Sequence, residues 1–244
     1  MTQRLPVDHP HLPGDTARRF AHVDIWVFDL DNTLYPAGSD VWPKIDQRIT
    51  LFMAQLFGLD GMSSRALQKY YYQRYGTTLR GLMSEHEVTA EEFLAFVHDI
   101  DRSSLKPDHS LAAAIAALPG RKLILTNGSR DHALRTAEQL GIHDLFEDVF
   151  DIVAADLLPK PHAATYEKFF DLHGVDPARA AMFEDMAHNL LVPHDRGMVT
   201  TLVVPRSDEE VEREVWELST GSEPHIDFVT DDLAVFLESV LAQR

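Results

Sequence analysis

The chain has 244 residues, 45% of them hydrophobic and 25% charged, and no cysteine. This is a globular composition with enough apolar material for a full core, and the lack of thiols excludes disulfides and thiol catalysis. A formal charge of −17 argues against a nucleic-acid polymer as partner, because phosphate backbones are bound by clustered lysine and arginine.

In chain order, residues 1–21 read as a polar, proline-bearing N-terminal tail without the apolar centre of a signal peptide. No apolar run approaches the ~18 residues of a membrane span, so the expectation is a cytoplasmic protein with no membrane partner. Ile25-Trp26-Val27-Phe28 is short, bulky and partly β-branched, and reads as a buried strand. It runs into Asp29-Leu30-Asp31-Asn32-Thr33, with Asp29 as the last strand residue and Asp31 in the turn beyond.

From Pro36 to Pro107 the apolar spacing is helical. Ile45, Ile49, Phe52 and Leu56 recur at steps of three and four. Thr89-Ala90-Glu91-Glu92 is a capping-box signature ahead of Phe93, Phe96, Val97 and Ile100. The expectation is an all-helical cap domain, residues 36–107, inserted into a core formed by residues 22–35 and 108–244.

Strand–helix alternation follows. A helix over Ser110–Leu118 leads to a strand over Arg121–Asn127, and a helix over Ser129–Leu140 is closed by Gly141. A strand over Val149–Ala155 and a helix over Ala163–His173 come next. Then come a strand over Ala180–Glu184, a helix over Ala187–Arg196, a strand over Thr200–Val204, a strand near Ile226–Val229 and a helix over Asp231–Ala242. The acidic stretch Ser207–Glu217 reads as a solvated helix face. Such alternation predicts an α/β fold with a Rossmann-like, doubly wound, mostly parallel sheet.

In open sheets of this kind the ligand sits at the carboxyl ends of the strands. There the sequence places Asp29, Asp31 and Thr33, then Thr126-Asn127-Gly128-Ser129, then Lys160 between Pro159 and Pro161, then Glu184-Asp185. Carboxylates can hold a divalent metal. A threonine hydroxyl and the amides of a glycine turn at a helix start can hold phosphate oxygens. A lysine can offset transition-state charge. Each element has an ordinary alternative: a capping turn, a helix-cap hydroxyl, a loop charge, a solvated turn. Their occurrence together at four successive strand ends points to one phosphoryl-transfer site. His162 and His188 lie nearest to these residues in sequence. With no second histidine at ligand spacing, both read as packing or surface residues, and His86 and His98 as structural residues of the helical insertion.

These motifs resemble those of the haloacid dehalogenase superfamily of phosphohydrolases, over about residues 24–204. Asp29-Leu30-Asp31-Asn32-Thr33, Thr126-Asn127-Gly128, Lys160 and Glu184-Asp185 match its four motifs in order. The resemblance implies that Asp29 is the nucleophile and forms an aspartyl-phosphate. Asp31 then serves as general acid and base, and Thr126, Asn127, Gly128 and Lys160 hold the phosphoryl group. It also implies Mg²⁺ at Asp29, Asp31 and Asp185, with Glu184 as a further candidate ligand. The fourth motif departs from the common pattern by having Asn189 where many members carry a second aspartate, so Asn189 is expected to orient Asp185. The retained Asp31 sets the chain apart from the dehalogenases, whose halide leaving group needs no proton.

Within the insertion, Tyr70-Tyr71-Tyr72-Gln73-Arg74-Tyr75-Gly76-Thr77-Thr78-Leu79-Arg80-Gly81-Leu82 is similar to the cap of the pyrimidine 5′-nucleotidase branch. That implies pyrimidine nucleoside monophosphates such as UMP and CMP as substrates, with Tyr75 and Arg80 in contact with them. Other small phosphomonoesters, such as phosphoglycolate or a sugar phosphate, phosphomutase chemistry, and a non-catalytic scaffold remain alternatives. Nothing in the sequence indicates an oligomeric state.

Overall fold

A computed structural model describes residues 18–206, 209, 211 and 219–244. Most of the expected tail, residues 1–17, and most of the acidic stretch 207–217 lie outside the described residues. The sheet begins with β1 (Ile25–Phe28), every residue of which is buried. It continues with β2 (Arg121–Leu125), β3 (Asp148–Phe150), β4 (Ala180–Glu184), β5 (Val199–Val203) and β6 (Phe228–Thr230). The six strands are parallel, in the order β3-β2-β1-β4-β5-β6. β1 is central because it is apolar on both faces, as a parallel strand covered by helices on each side must be. The chain builds outward from it in both directions, so the strand order reverses at β1, where a crevice opens beyond the carboxyl ends.

One face of the sheet carries an aromatic stack. Phe28 lies on Phe183 with ring centres 4.7 Å apart, Trp26 lies 6.3 Å from Phe183, and Phe20 lies 5.8 Å from Trp26. The opposite face packs Val27, Leu125, Phe150, Tyr166, Phe169 and Met182.

Between β1 and β2 run α1 (Val41–Phe57), α2 (Gly61–Tyr75), α3 (Thr78–Glu85), α4 (Ala90–Val97) and α5 (His109–Ala117). The first four surround a cluster of their own that includes Phe52, Met53, Tyr71, Leu82, Phe93 and Val97. Asp60, Thr77 and Thr89 cap the starts of α2, α3 and α4, accepting from backbone amides two or three residues on. α2 and α3 approach closely because Gly81 has no side chain: a Cβ there would lie 2.6 Å from the Tyr71 ring. Ile152, from the loop after β3, is buried in the same cluster and joins these helices to the sheet.

The later elements are α6 (Arg130–Leu140), α7 (Ala163–His173), α8 (Leu191–Asp195) and α9 (Leu233–Ala242). Two expectations are corrected. The third strand stops at Phe150 instead of Ala155, because Asp151 turns the chain: its carboxylate accepts from Arg130 N and Ala154 N, each at 2.8 Å. The helix expected over Ala187–Arg196 splits into a 3₁₀ turn, Ala187–Leu190, and α8, which contains Pro193. Among the described residues no helix is long and apolar enough to cross a membrane.

Candidate active site

The parallel register brings the strand ends level. Phe28 is opposite Ile124 on β2 and Phe183 on β4, so the next residues in register are Asp29, Leu125 and Glu184. Asp29 N still donates to Phe183 O at 2.9 Å, which fixes its backbone as a continuation of the sheet. The chain then turns. Thr33 N and Leu34 N fold back onto Leu30 O, and Asn32 takes a left-handed φ of 60°, which asparagine tolerates better than most residues. This turn carries Asp31 to the end of the sheet beside Asp29.

Lys160 ties the three strand ends together. Its Nζ donates to Asp29 Oδ1 at 2.6 Å, Glu184 Oε1 at 2.8 Å and Leu125 O at 2.9 Å. An ammonium has three protons, and all are used. Lys160 therefore positions Asp29 and contributes positive charge, without a spare donor in this state. Its loop is pinned by Asn127, whose Oδ1 accepts from Lys160 N at 2.8 Å. Asn127, expected to hold phosphate, is thus seen anchoring the lysine loop. Thr126 is buried at the end of β2, and its Oγ1 accepts from Gly128 N at 2.9 Å. Ser129 caps α6, so the Thr126–Ser129 turn presents the amino end of a helix to the crevice.

Glu184 is held on both oxygens. Oε1 accepts from Lys160 and from Asn189 Nδ2 at 2.5 Å, and Oε2 accepts from Asp185 N at 2.7 Å and Met186 N at 3.1 Å. Asn189, expected to orient Asp185, lies within the 3₁₀ turn Ala187–Leu190 and its Nδ2 donates to Glu184. Asn189 Oδ1 is buried and has no hydrogen-bond partner among the described residues.

The charges are unbalanced. Asp29, Glu184 and Asp185 are all buried, with carboxylate oxygens within 4.8 Å of one another. Lys160 can neutralise one of them. Burial and the Glu184 charge push the Asp29 carboxyl up to about 8, against the pull of Lys160. Burial also opposes ionisation of Glu184, but Lys160 and the amide of Met186 outweigh it and keep its pKa low. Burial weighs against the Lys160 charge too, yet Asp29 and Glu184 raise its pKa. The surplus of hard oxygen ligands and the orphaned Asn189 Oδ1 fit a hard divalent cation such as Mg²⁺. Asp29 and Asp185 would hold it. Glu184 is already engaged by four donors and is the poorer ligand.

Asp31 lies in a different field. Burial raises its pKa, but hydrogen bonds from His132 and Tyr35 prevail and hold it below the usual carboxylate range. His132 Nε2 is 2.8 Å from Asp31 Oδ1, and Tyr35 OH donates to the same oxygen at 2.5 Å. No motif in the sequence singles out His132. Its signal is position: it is in the first turn of the helix that follows the second strand, the turn nearest the strand ends. Nothing in the sequence marks Arg102, which lies behind His132.

The helical insertion also reaches the site. Arg80 Nη1 is 2.8 Å from Nε2 of His162, two residues past Lys160. Tyr75 instead engages Glu85 inside the insertion, with the Arg74 guanidinium 5.5 Å from its ring centre.

The model of the haloacid dehalogenase-like hydrolases matches residues 23–191 of this chain. The chain belongs to this family. A curated relative, phosphate metabolism protein 8 of Saccharomyces cerevisiae, is 33% identical over an alignment 156 residues long that covers 59% of this chain and 46% of the yeast protein. The chain therefore spans less than half the length of that relative. Among solved structures, the phosphatase of this family from Thermococcus onnurineus superposes with a TM-score of 0.58 at 14% identity, covering 91% of this chain and 99% of that one. The L-2-haloacid dehalogenase of Xanthobacter autotrophicus gives 0.55 at 19% identity, covering 89% and 98%. A predicted phosphoglycolate phosphatase from Haemophilus somnus gives 0.54 at 19% identity, covering 89% and 97%. Identities this low establish the shared fold. They do not separate the hydrolases that use it.

Proposed function

We propose that this hydrolase is a Mg²⁺-dependent phosphomonoesterase that acts through an aspartyl-phosphate on Asp29. The observation that carries this is the Asp29 carboxylate held by Lys160 beside a second carboxylate, Asp31, in a separate hydrogen-bonded setting. Two carboxylates in unlike environments suit two unlike tasks. A dehalogenase has no use for the second, because halide leaves without a proton.

An Asp29 oxygen attacks phosphorus, and the bond from phosphorus to the ester oxygen breaks. Asp31 gives its proton to that leaving oxygen. It then takes a proton from water as the water oxygen attacks phosphorus and the bond to Asp29 breaks. Free Asp31 is ionised at neutral pH, so its proton is acquired as the negatively charged substrate binds beside it. Thr126 and the α6 amino end hold the phosphoryl oxygens, and the Gly128 amide orients the Thr126 hydroxyl. Mg²⁺, when bound, offsets the charge that would repel a phosphate dianion from a carboxylate nucleophile. The backbone carbonyl of Asp31 completes the proposed ligand set with Asp29 and Asp185.

For the substrate, the aromatic and arginine-bearing run Tyr70–Leu82 supports pyrimidine nucleoside 5′-monophosphates. Arg80 sits on the Lys160 loop through His162, within reach of a bound ester's outer part, and Tyr75 is the proposed base contact. The insertion acts as a cap over the phosphoenzyme, with hinges near Pro36–Gly38 and Lys106–Pro107. The test is phosphate release from UMP, CMP, AMP, phosphoglycolate and hexose phosphates, with and without Mg²⁺. Metal-dependent release, highest on UMP or CMP and absent in Asp29→Asn, is the expected result. Higher activity on another ester would refute the cap assignment, and no activity on any ester would refute the phosphatase.

A further inference from the structure

Among the buried polar side chains that the catalytic steps leave unused are His98, Arg102 and His132, which lie together. Arg102 is the unusual one. A buried guanidinium normally pairs with a carboxylate. Among the described residues none bonds to Arg102. Instead Nε donates to Thr136 Oγ1 at 3.1 Å, Nη1 to Ile100 O at 3.1 Å and Nη2 to His98 O at 3.0 Å, while Nη2 also meets His132 Nδ1 at 2.8 Å.

That last contact fixes a proton. Arginine only donates, so His132 Nδ1 must accept. The imidazole proton is then on Nε2, which faces Asp31 Oδ1 at 2.8 Å and donates to it. The ring is also held in plane. His98 stacks on it with centres 4.4 Å apart and an interplanar angle of 10°, and His98 Nδ1 is itself 2.9 Å from Ser129 Oγ. Tyr35 OH adds a second donor to Asp31 Oδ1. Asp31 Oδ2 points the other way, 3.7 Å from where a Cβ on Gly128 would lie, toward the turn proposed to hold phosphate.

We propose that Arg102, His132 and Tyr35 are positioning residues that clamp one oxygen of Asp31 so that its other oxygen alone handles the reacting proton. The inference rests on the phosphomonoesterase reading above and deepens it. In ester cleavage the proton on Oδ2 passes to the leaving oxygen as that oxygen takes the electron pair of its bond to phosphorus. In hydrolysis of the phosphoenzyme, Oδ2 takes a proton from water. Oδ1 takes part in neither transfer, because its lone pairs are used by His132 and Tyr35. Arg102 supplies the rule that keeps His132 a donor at Nε2. It does so from the segment by which the helical insertion returns to the sheet domain, so the clamp also links the insertion to the proton-handling group.

The test reads the first step alone, as leaving-group release in the pre-steady-state burst in Mg²⁺, because hydrolysis of the phosphoenzyme is common to all esters. It compares an alkyl phosphate whose leaving oxygen needs a proton with p-nitrophenyl phosphate whose leaving group does not. His132→Phe keeps an aromatic ring under His98 but removes the donor. It should lower the burst rate on the alkyl ester ~10- to 100-fold, part of the 10²- to 10⁴-fold typical of general acid catalysis. The fall on p-nitrophenyl phosphate should be at least tenfold smaller, with KM little changed. His132→Gln offers one donor and one acceptor at nearly the same span, and should restore the alkyl activity to within a few-fold. If His132→Phe does not fold, Tyr35→Phe, which removes one hydroxyl, should show the same selective loss on a smaller scale. Equal losses on both esters, no loss, or a glutamine variant no better than phenylalanine would overturn the clamp. Asp31→Asn separates this from failure of the underlying reading: if it too hits both esters equally, or if wild type cleaves neither, the acid–base assignment has failed and not merely its clamp.

Discussion

Asp29→Asn should remove turnover and at the same time make the protein more stable. Asp29 and Glu184 share one lysine in a buried site, and Asp29 bears the imbalance, with its carboxyl pushed up to about 8 by burial and the Glu184 charge. In the unfolded chain the same group titrates near ~3.9. Between those values the folded protein holds a proton that the unfolded chain has released, so stability falls as pH rises through the window, by ~1.4 kcal/mol per pH unit. At pH 7 the accumulated penalty is on the order of 2–4 kcal/mol after local relaxation. Asparagine has nearly the same shape, does not titrate, and still offers Lys160 an acceptor. Urea unfolding in EDTA at pH 5, 6, 7 and 8 is the assay, with the difference between variant and wild type as its readout. That difference should grow in favour of the variant as pH rises and level off above pH ~8. Added Mg²⁺ should reverse the order by stabilising wild type more, because binding to the folded state alone adds RT ln(1 + [Mg²⁺]/Kd). A variant less stable than wild type, or a difference that does not change with pH, would refute the charge-imbalance argument.

His98→Phe should flatten the acid side of the stability curve. Burial, with a contribution from His132, brings the His98 pKa down to about 3, whereas the unfolded side chain titrates near ~6.5. Below that upper value the unfolded chain takes up a proton that the folded protein refuses, so wild type loses up to ~1.4 kcal/mol per pH unit as pH falls toward 3. Urea midpoints measured from pH 7 to pH 4.5 should fall more steeply for wild type than for the variant, and equal slopes would refute the argument. Gly120→Ala should cost about 3 kcal/mol or more, read as a fall in Tm. Gly120 has φ +82°, and a Cβ there would lie 2.1 Å from Asp24 O, the carbonyl that receives Arg121 N at the start of β2.

Sequence alone determined most of the sheet and the order of the motifs along it. Ile25–Phe28 has no polar face, so it had to be a central strand. Glycines 141 and 174 ended the helices before them, as expected from their left-handed cap geometry. A strand end is also a local feature, so Asp29, Thr126 and Glu184 could each be placed at one without knowing which strands were neighbours. Elements that depend on one side chain turning the chain were less legible. Asp151 cut the third strand short by capturing two amides, and no periodicity announces that.

Tertiary structure decided how the charges are shared. Lys160 and Glu184 are 24 positions apart, and Lys160 and Asp29 are 131 apart. Only the strand order places all three on one ammonium. The same holds for Asp31, His132 and Arg102, where the second and third partners come from a helix start and from the return of the insertion. Sequence fixes what each side chain can donate or accept. Which proton it keeps depends on the partner and on the burial around it, and both exist only once distant segments have packed together.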